Sequence, residues 1–109
     1  MSLRAPLRVP VELRARTRWF RLAHAVGLDG LSLGSAAPDE AEGALDLAFH
    51  LPGDARPIRC RARVHEVVVD RGERETERAE KRDVRFLDLD EDGRARIERY
   101  VEERLGLNP

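Results

Sequence analysis

Gly30-Leu31-Ser32-Leu33-Gly34 has the spacing G-x-S-x-G. In a nucleophile elbow that spacing presents a serine on a tight strand-to-helix turn for attack on a carbonyl. The elbow needs a helix after it, on a large α/β sheet. Here Ser35-Ala36-Ala37-Pro38 follows, with Gly43 soon after, and no helical pattern runs through them. Ser32 is therefore read as a turn or short-strand serine that bonds water or nearby backbone. Asp88-Leu89-Asp90-Glu91-Asp92-Gly93 matches the front of a calcium loop, but Arg99 stands where the closing bidentate glutamate belongs. The bland reading is a strand end followed by an acidic helix start. His24, His50 and His65 lie far apart, and none has metal-ligand spacing. His65-Glu66 begins like H-E-x-x-H, with Val69 in place of the second histidine. Cys60 alternates with apolar neighbours and reads as a small buried hydrophobe. No catalytic or metal-binding set emerges, and the chain is read as a non-enzyme.

The elements around these residues are mostly strands. Val9, Val11, Leu13, Ala15 and Thr17 alternate with Glu12, Arg14, Arg16 and Arg18, the period of a half-buried strand. Before it, Met1 to Arg8 reads as a flexible basic arm, because Pro6 and Pro10 disfavour helix there. Trp19 to Leu28 forms a second strand, ended by a turn at Gly27, Asp29 and Gly30, and Leu31 and Leu33 open a short third one. Gly34 to Gly43 is small, polar and acidic, and reads as loop. Leu45, Leu47, Phe49 and Leu51 alternate as a further strand before the turn Pro52-Gly53-Asp54.

Ile58, Cys60, Ala62 and Val64 alternate against Arg59, Arg61 and Arg63. The phase slips near His65-Glu66, which predicts a bulge. Arg71 to Asp83 is almost free of apolar residues and reads as a long solvated hairpin or mobile loop. Val84 to Leu89 is the last strand, with both faces partly covered. Asp90 then caps a helix with Glu91 and Asp92 in its first turn. Ile97, Tyr100, Val101 and Leu105 form its apolar stripe, Arg104 lies in its last turn, and Gly106 stops it. Five to seven strands and one amphipathic helix predict a closed or nearly closed antiparallel barrel with the helix packed on it.

The composition narrows the function classes. The chain has 109 residues, 41% apolar and 38% charged, with a formal net charge of −1. That is one domain, residues 1–109, with the arm at 1–8, the barrel at 9–89 and the helix at 90–106. No bulk field draws it to nucleic acid or to an anionic membrane. A single cysteine excludes an intrachain disulfide, and no apolar run approaches membrane-spanning length. The N-terminus lacks the pattern of a signal peptide. The protein is read as cytoplasmic.

Several segments taken in order resemble a known family. They are Arg4-Ala5-Pro6-Leu7-Arg8 ahead of Val9-Pro10-Val11, Asp29-Gly30-Leu31-Ser32-Leu33-Gly34-Ser35, Phe49-His50-Leu51-Pro52-Gly53, and Val84-Arg85-Phe86-Leu87-Asp88-Leu89 running into the helix of Ile97, Tyr100 and Val101. Together they resemble a PilZ domain over nearly the whole chain. The resemblance implies an all-β barrel of about six antiparallel strands with one C-terminal α-helix, and a role in bacterial cyclic di-GMP signalling. It also implies a ligand site in which an R-x-x-x-R pair grips the nucleotide and a D/N-x-S-x-x-G turn completes the pocket.

Carried over by position, Arg4 and Arg8 fit the arginine pair. Guanidinium groups suit phosphates and guanine faces. The chain holds 19 arginines, and other pairs share this spacing. Only Arg4 and Arg8 stand directly ahead of the first strand. Ser32 fits the serine of the turn. Gly30 and Ser35 depart from the motif, and Asp29 lies one residue from the expected acidic position.

The resulting expectation is a signalling adaptor that works through an unidentified protein partner, with weak or lost nucleotide binding. Candidate contact surfaces are the segment Arg71 to Asp83 and the acidic loop Asp39 to Glu42. No cofactor is required, and cyclic di-GMP is the candidate regulatory ligand. The alternative is a functional cyclic di-GMP receptor using Arg4, Arg8 and Ser32. A further alternative is a barrel that binds single-stranded nucleic acid through Arg14, Arg16, Arg18, Arg59, Arg61 and Arg63. Sparse aromatic platforms and a near-neutral charge disfavour it.

Overall fold

The computed structural model describes residues 3–34, 43–71 and 78–106, and of these the side chains of 66–71 and 78–82 are left undescribed. Ser35, the acidic loop Asp39 to Glu42 and the tip of the Arg71 to Asp83 segment lie outside the described residues. Six strands, β1 (Arg4–Arg14), β2 (Arg18–Gly27), β3 (Gly30–Leu33), β4 (Ala44–Phe49), β5 (Ile58–Arg71) and β6 (Arg78–Phe86), precede one helix, α1 (Glu91–Leu105). The strands close in the order β1-β2-β3-β6-β5-β4, with β4 returning to β1. Every pairing is antiparallel.

The period-two pattern is what closes the barrel. Leu13, Val11, Val26, Leu31, Leu33, Phe49, Ile58 and Val84 are fully buried, and their polar neighbours along each strand face out. Burying each such side chain contributes about 1.5–3 kcal/mol. The rings of Phe49 and Phe86 stack with centroids 6.3 Å apart. Trp19, half-buried on β2, keeps a buried indole N–H with no hydrogen-bond partner among the described residues.

Strand β1 starts at Arg4, inside the segment expected to be an arm, and Arg4 already pairs with Gly27. The prolines do not prevent this, for two reasons. β4 pairs with β1 only from Val11 to Arg14, so Pro6 and Pro10 occupy the stretch without a ladder on that side. A register shift between Pro6 and Val9 also absorbs local irregularity. Helix α1 packs on β1 and β2, and the Tyr100 hydroxyl donates to the Pro6 carbonyl at 2.7 Å.

The expected slip is a register shift between Val64 and Glu66. Beyond it β5 and β6 continue as a paired ribbon from Glu66↔Asp83 to Arg71↔Arg78, so the charged segment forms hairpin arms. The last strand ends at Phe86, and Leu87 is exposed. Asp90 caps α1 by accepting from the Gly93 amide at 2.6 Å, and Gly106 takes a left-handed φ of 67° at its end. Ile97 and Val101 enter the core, whereas Leu105 stays exposed. Arg96 ties the helix to the β4–β5 turn through Asp54, with its Nε at 2.8 Å from Oδ2.

Candidate ligand site

The Arg4 side chain lies on the outer face at the start of β1, between buried Ala5 and exposed Leu3. Its partner in register, Gly27, has no side chain, so the arginine can cross β2 toward β3. A Cβ at position 27 would sit 2.9 Å from Arg4 Cγ and 2.9 Å from Asp29 Oδ1. Ser32 faces outward between buried Leu31 and Leu33, and the β3–β6 register places it opposite Asp83. Arg4, Asp29, Ser32, Asp83 and Arg85 therefore converge from three separate parts of the chain.

A guanidinium has five N–H donors. In Arg4 all of them are satisfied from within the protein. Nε donates to Asp29 Oδ1 at 3.3 Å and Nη2 to Asp29 Oδ2 at 3.1 Å. Nη1 donates to Ser32 Oγ at 2.9 Å and to Asp83 Oδ1, and Nη2 also reaches Asp83 Oδ2 at 3.3 Å. Arg85 closes the ring, with Nη1 3.1 Å from Asp29 Oδ2 and Nε 3.1 Å from Asp83 Oδ2. Two arginines thus face two aspartates with no net charge.

Burial works to lower the Arg4 pKa, but hydrogen bonds and charge from Asp83 and Asp29 outweigh it and raise the pKa above the ordinary arginine value. For Asp29, burial pushes the pKa up, and the Arg4 hydrogen bond and charge, with a smaller contribution from Arg85, bring it below the usual carboxylate range. The paired side chains are only 15–19% exposed, apart from Arg85 at 44%.

Gly30 stands where the motif of the resemblance has an acidic or amide residue. A Cβ there would lie 1.9 Å from the Val84 carbonyl oxygen, so the close approach of β3 to β6 leaves no room for a side chain. Asp29, one residue earlier, supplies the carboxylate instead. Its own carbonyl accepts from the Phe86 amide at 2.9 Å, which fixes the turn against β6.

Arg8 takes no part in this network. It lines a separate groove beside α1 with His24, Tyr100 and Arg104. The structure joins Arg4 to Ser32 and leaves Arg8 among other neighbours. Asp83 and Arg85, both on β6, are not members of the ligand set expected from the sequence. Only the strand register, which sets Ser32 opposite Asp83, brings them into the site.

The other sequence candidates are explained locally. Asp88 accepts from the Arg61 amide at 2.6 Å and Asp90 caps the helix. Among the described residues no three metal-binding side chains cluster. Cys60 is buried, and burial, then Asp88 and Asp90, push its thiol pKa up to about 12. A second groove, of about 390 Å3, runs over β1, β4 and β5 between Arg14, Arg59 and Arg61, but Glu12, Asp46 and Asp88 line it too. Equal numbers of both signs do not make a track for a phosphate backbone.

No family model matches the sequence, and no curated protein matches it. Solved structures do match. The whole chain superposes on the Bacillus subtilis inhibitor of motility MotI/DgrA with a TM-score of 0.81 at 15% identity, over 52% of that protein's chain. The PilZ domain of Escherichia coli YcgR, solved with c-di-GMP, matches 97% of this chain with a TM-score of 0.74 at 10% identity, over 91% of its own length. The chain has the PilZ fold.

A third PilZ-fold neighbour is MrkH, a c-di-GMP-dependent transcription regulatory factor. It has a TM-score of 0.70 at 18% identity over 99% of this chain and 51% of its own. The chain therefore spans about half the length of MotI/DgrA and of MrkH. By these descriptions the neighbours include an inhibitor and a transcription regulator. No helix among the described residues is long and apolar enough to cross a membrane.

Proposed function

We propose that this PilZ-fold chain is a protein-interaction adaptor of bacterial cyclic di-GMP signalling in which nucleotide binding is weak or lost. The observation that carries this reading is the fully satisfied fork of Arg4. A phosphate that engages Arg4 has to displace Asp29 or Asp83 and then remain beside the displaced carboxylate. Losing one hydrogen bond to a charged group costs about 1.5–3 kcal/mol, or roughly ten- to a hundredfold in affinity. Arg8, the second arginine of the expected pair, stands in a different groove. Titration calorimetry with cyclic di-GMP tests the reading. The adaptor predicts no saturable heat at micromolar nucleotide. Micromolar binding abolished by Arg4→Ala would overturn it.

One observation favours the second reading, a functional receptor. Arg4 and Ser32 meet at 2.9 Å on the outer face, so one guanidinium and one hydroxyl of the expected ligand set already stand together. In that reading Arg4, Ser32 and Arg8 contact the nucleotide after the aspartates release Arg4, and the same titration decides between the two.

A further inference from the structure

The charged lining of the groove that holds Arg8 is of one sign. It measures about 600 Å3, and its ionisable walls are Arg8 from β1, His24 from β2, and Tyr100 and Arg104 from α1. Among the described residues no carboxylate lines it. Elsewhere Arg4, Arg56, Arg85 and Arg96 each face an aspartate. Among the described residues, Arg8, His24 and Arg104 have no acidic partner. Arg104 in the last helical turn also suits the helix dipole, but Arg8 and His24 reach the same space from other elements. In a chain of net charge −1, that is a local excess of positive charge.

The floor is apolar and braced. Pro6, Leu7 and Pro52 contribute to it, and the Tyr100 hydroxyl bond to the Pro6 carbonyl locks helix to strand. We infer that this groove docks an acidic segment of a partner protein, with carboxylates meeting Arg8, His24 and Arg104 and an apolar side chain lying over the prolines and Tyr100. The chemistry favours a peptide over a compact phosphate. Compact phosphates are held by helix N-termini and converging backbone N–H groups, whereas this groove offers the C-terminal half of α1 and two prolines that lack an N–H. Carboxylates spaced along an extended chain can meet three separated cations one at a time. The inference rests on the adaptor reading and gives it a partner chemistry.

The test uses the full chain and a fluorescein-labelled peptide, Glu-Glu-Phe-Glu-Leu-Glu, read by anisotropy and by amide chemical shifts. Saturable binding is expected that weakens with salt, with shifts concentrated at Leu7, Arg8, His24 and Tyr100 to Arg104. The double variant Arg8→Glu/Arg104→Glu should bind about tenfold or more weakly, a loss of roughly 1.4 kcal/mol or more. Reversing Arg59 and Arg63 on the outer face of β5 should change binding less than about twofold, because those charges lie on another face. No saturable binding, or equal loss in the β5 control, would overturn the inference, and so would displacement of the peptide by cyclic di-GMP. A separate nucleotide titration tests the adaptor reading alone, so the two failures are distinguishable.

Discussion

Arg4 at the start of β1 and Asp83 near the end of β6 are 79 positions apart in the chain, yet Asp83 accepts from both Nη atoms of the guanidinium. Neither strand pairs with the other. Gly27 lets the arginine cross β2, and Ser32 on β3 sets the register that presents Asp83. A residue type suited to phosphate is thereby held by carboxylates of the same chain.

Gly30 is the position where the barrel refuses the expected motif residue. Gly30→Asp should force β3 away from Val84 and cost about 3 kcal/mol, as overpacking against backbone does. Thermal unfolding of that variant should show a large fall in Tm. A Tm equal to that of the parent would mean that β3 and β6 do not approach as closely as the 1.9 Å clearance requires.

Acid should weaken the network in a predictable direction. The folded pKa of Asp29 lies below its ordinary value, so its contribution is present at neutral pH and is lost as pH falls through that folded pKa, below about 3.9. Arg4, with its raised pKa, stays charged throughout and adds no slope. Asp29→Asn should therefore be less stable than the parent at pH 7, and the gap should narrow at pH 3. A gap that widened on acidification would contradict the assigned ion pair.

The helix is fastened to the strand that carries the site. Tyr100→Phe removes the hydroxyl bond to Pro6. The loss should be about 1 kcal/mol, lowering Tm by roughly 4 °C. A two-state melt compares the two proteins directly, and an unchanged Tm would show that the bond contributes nothing net.

Cys60 should be unreactive in the folded state. With its thiol pushed up to about 12 and its side chain buried, almost no thiolate forms at pH 8. A thiol reagent should react slowly until urea unfolds the chain. Rapid stoichiometric reaction of native protein would show that the barrel opens at β5.

The sequence revealed the barrel more fully than the site. Alternation in Leu45, Leu47 and Phe49, or in Ile58, Cys60 and Ala62, is a local property and maps directly onto β4 and β5. The helix limits were legible because caps at Asp90 and Gly106 are short-range chemistry. The start of β1 was hidden by prolines, whose tolerance depends on where β4 stops pairing. Asp83 was hidden for a related reason. It closes a run of charged residues with no period, and only non-local register gives it a role. Asp29 was half visible, since it lies beside the ligand motif. That Arg8 stands in another groove could not be read from its spacing to Arg4.

A calorimetric comparison of cyclic di-GMP binding by the parent chain and Asp83→Asn tests the withdrawal of Arg4 most directly. The substitution keeps the shape of Asp83 and removes its charge, leaving Arg4 with one fewer carboxylate. The prediction is no saturable heat at micromolar nucleotide for the parent, and measurable binding, about tenfold or more tighter, for the variant. Micromolar binding by the parent, unchanged or weakened in Asp83→Asn, would contradict the claim that Arg4 is withdrawn from the ligand by its own chain.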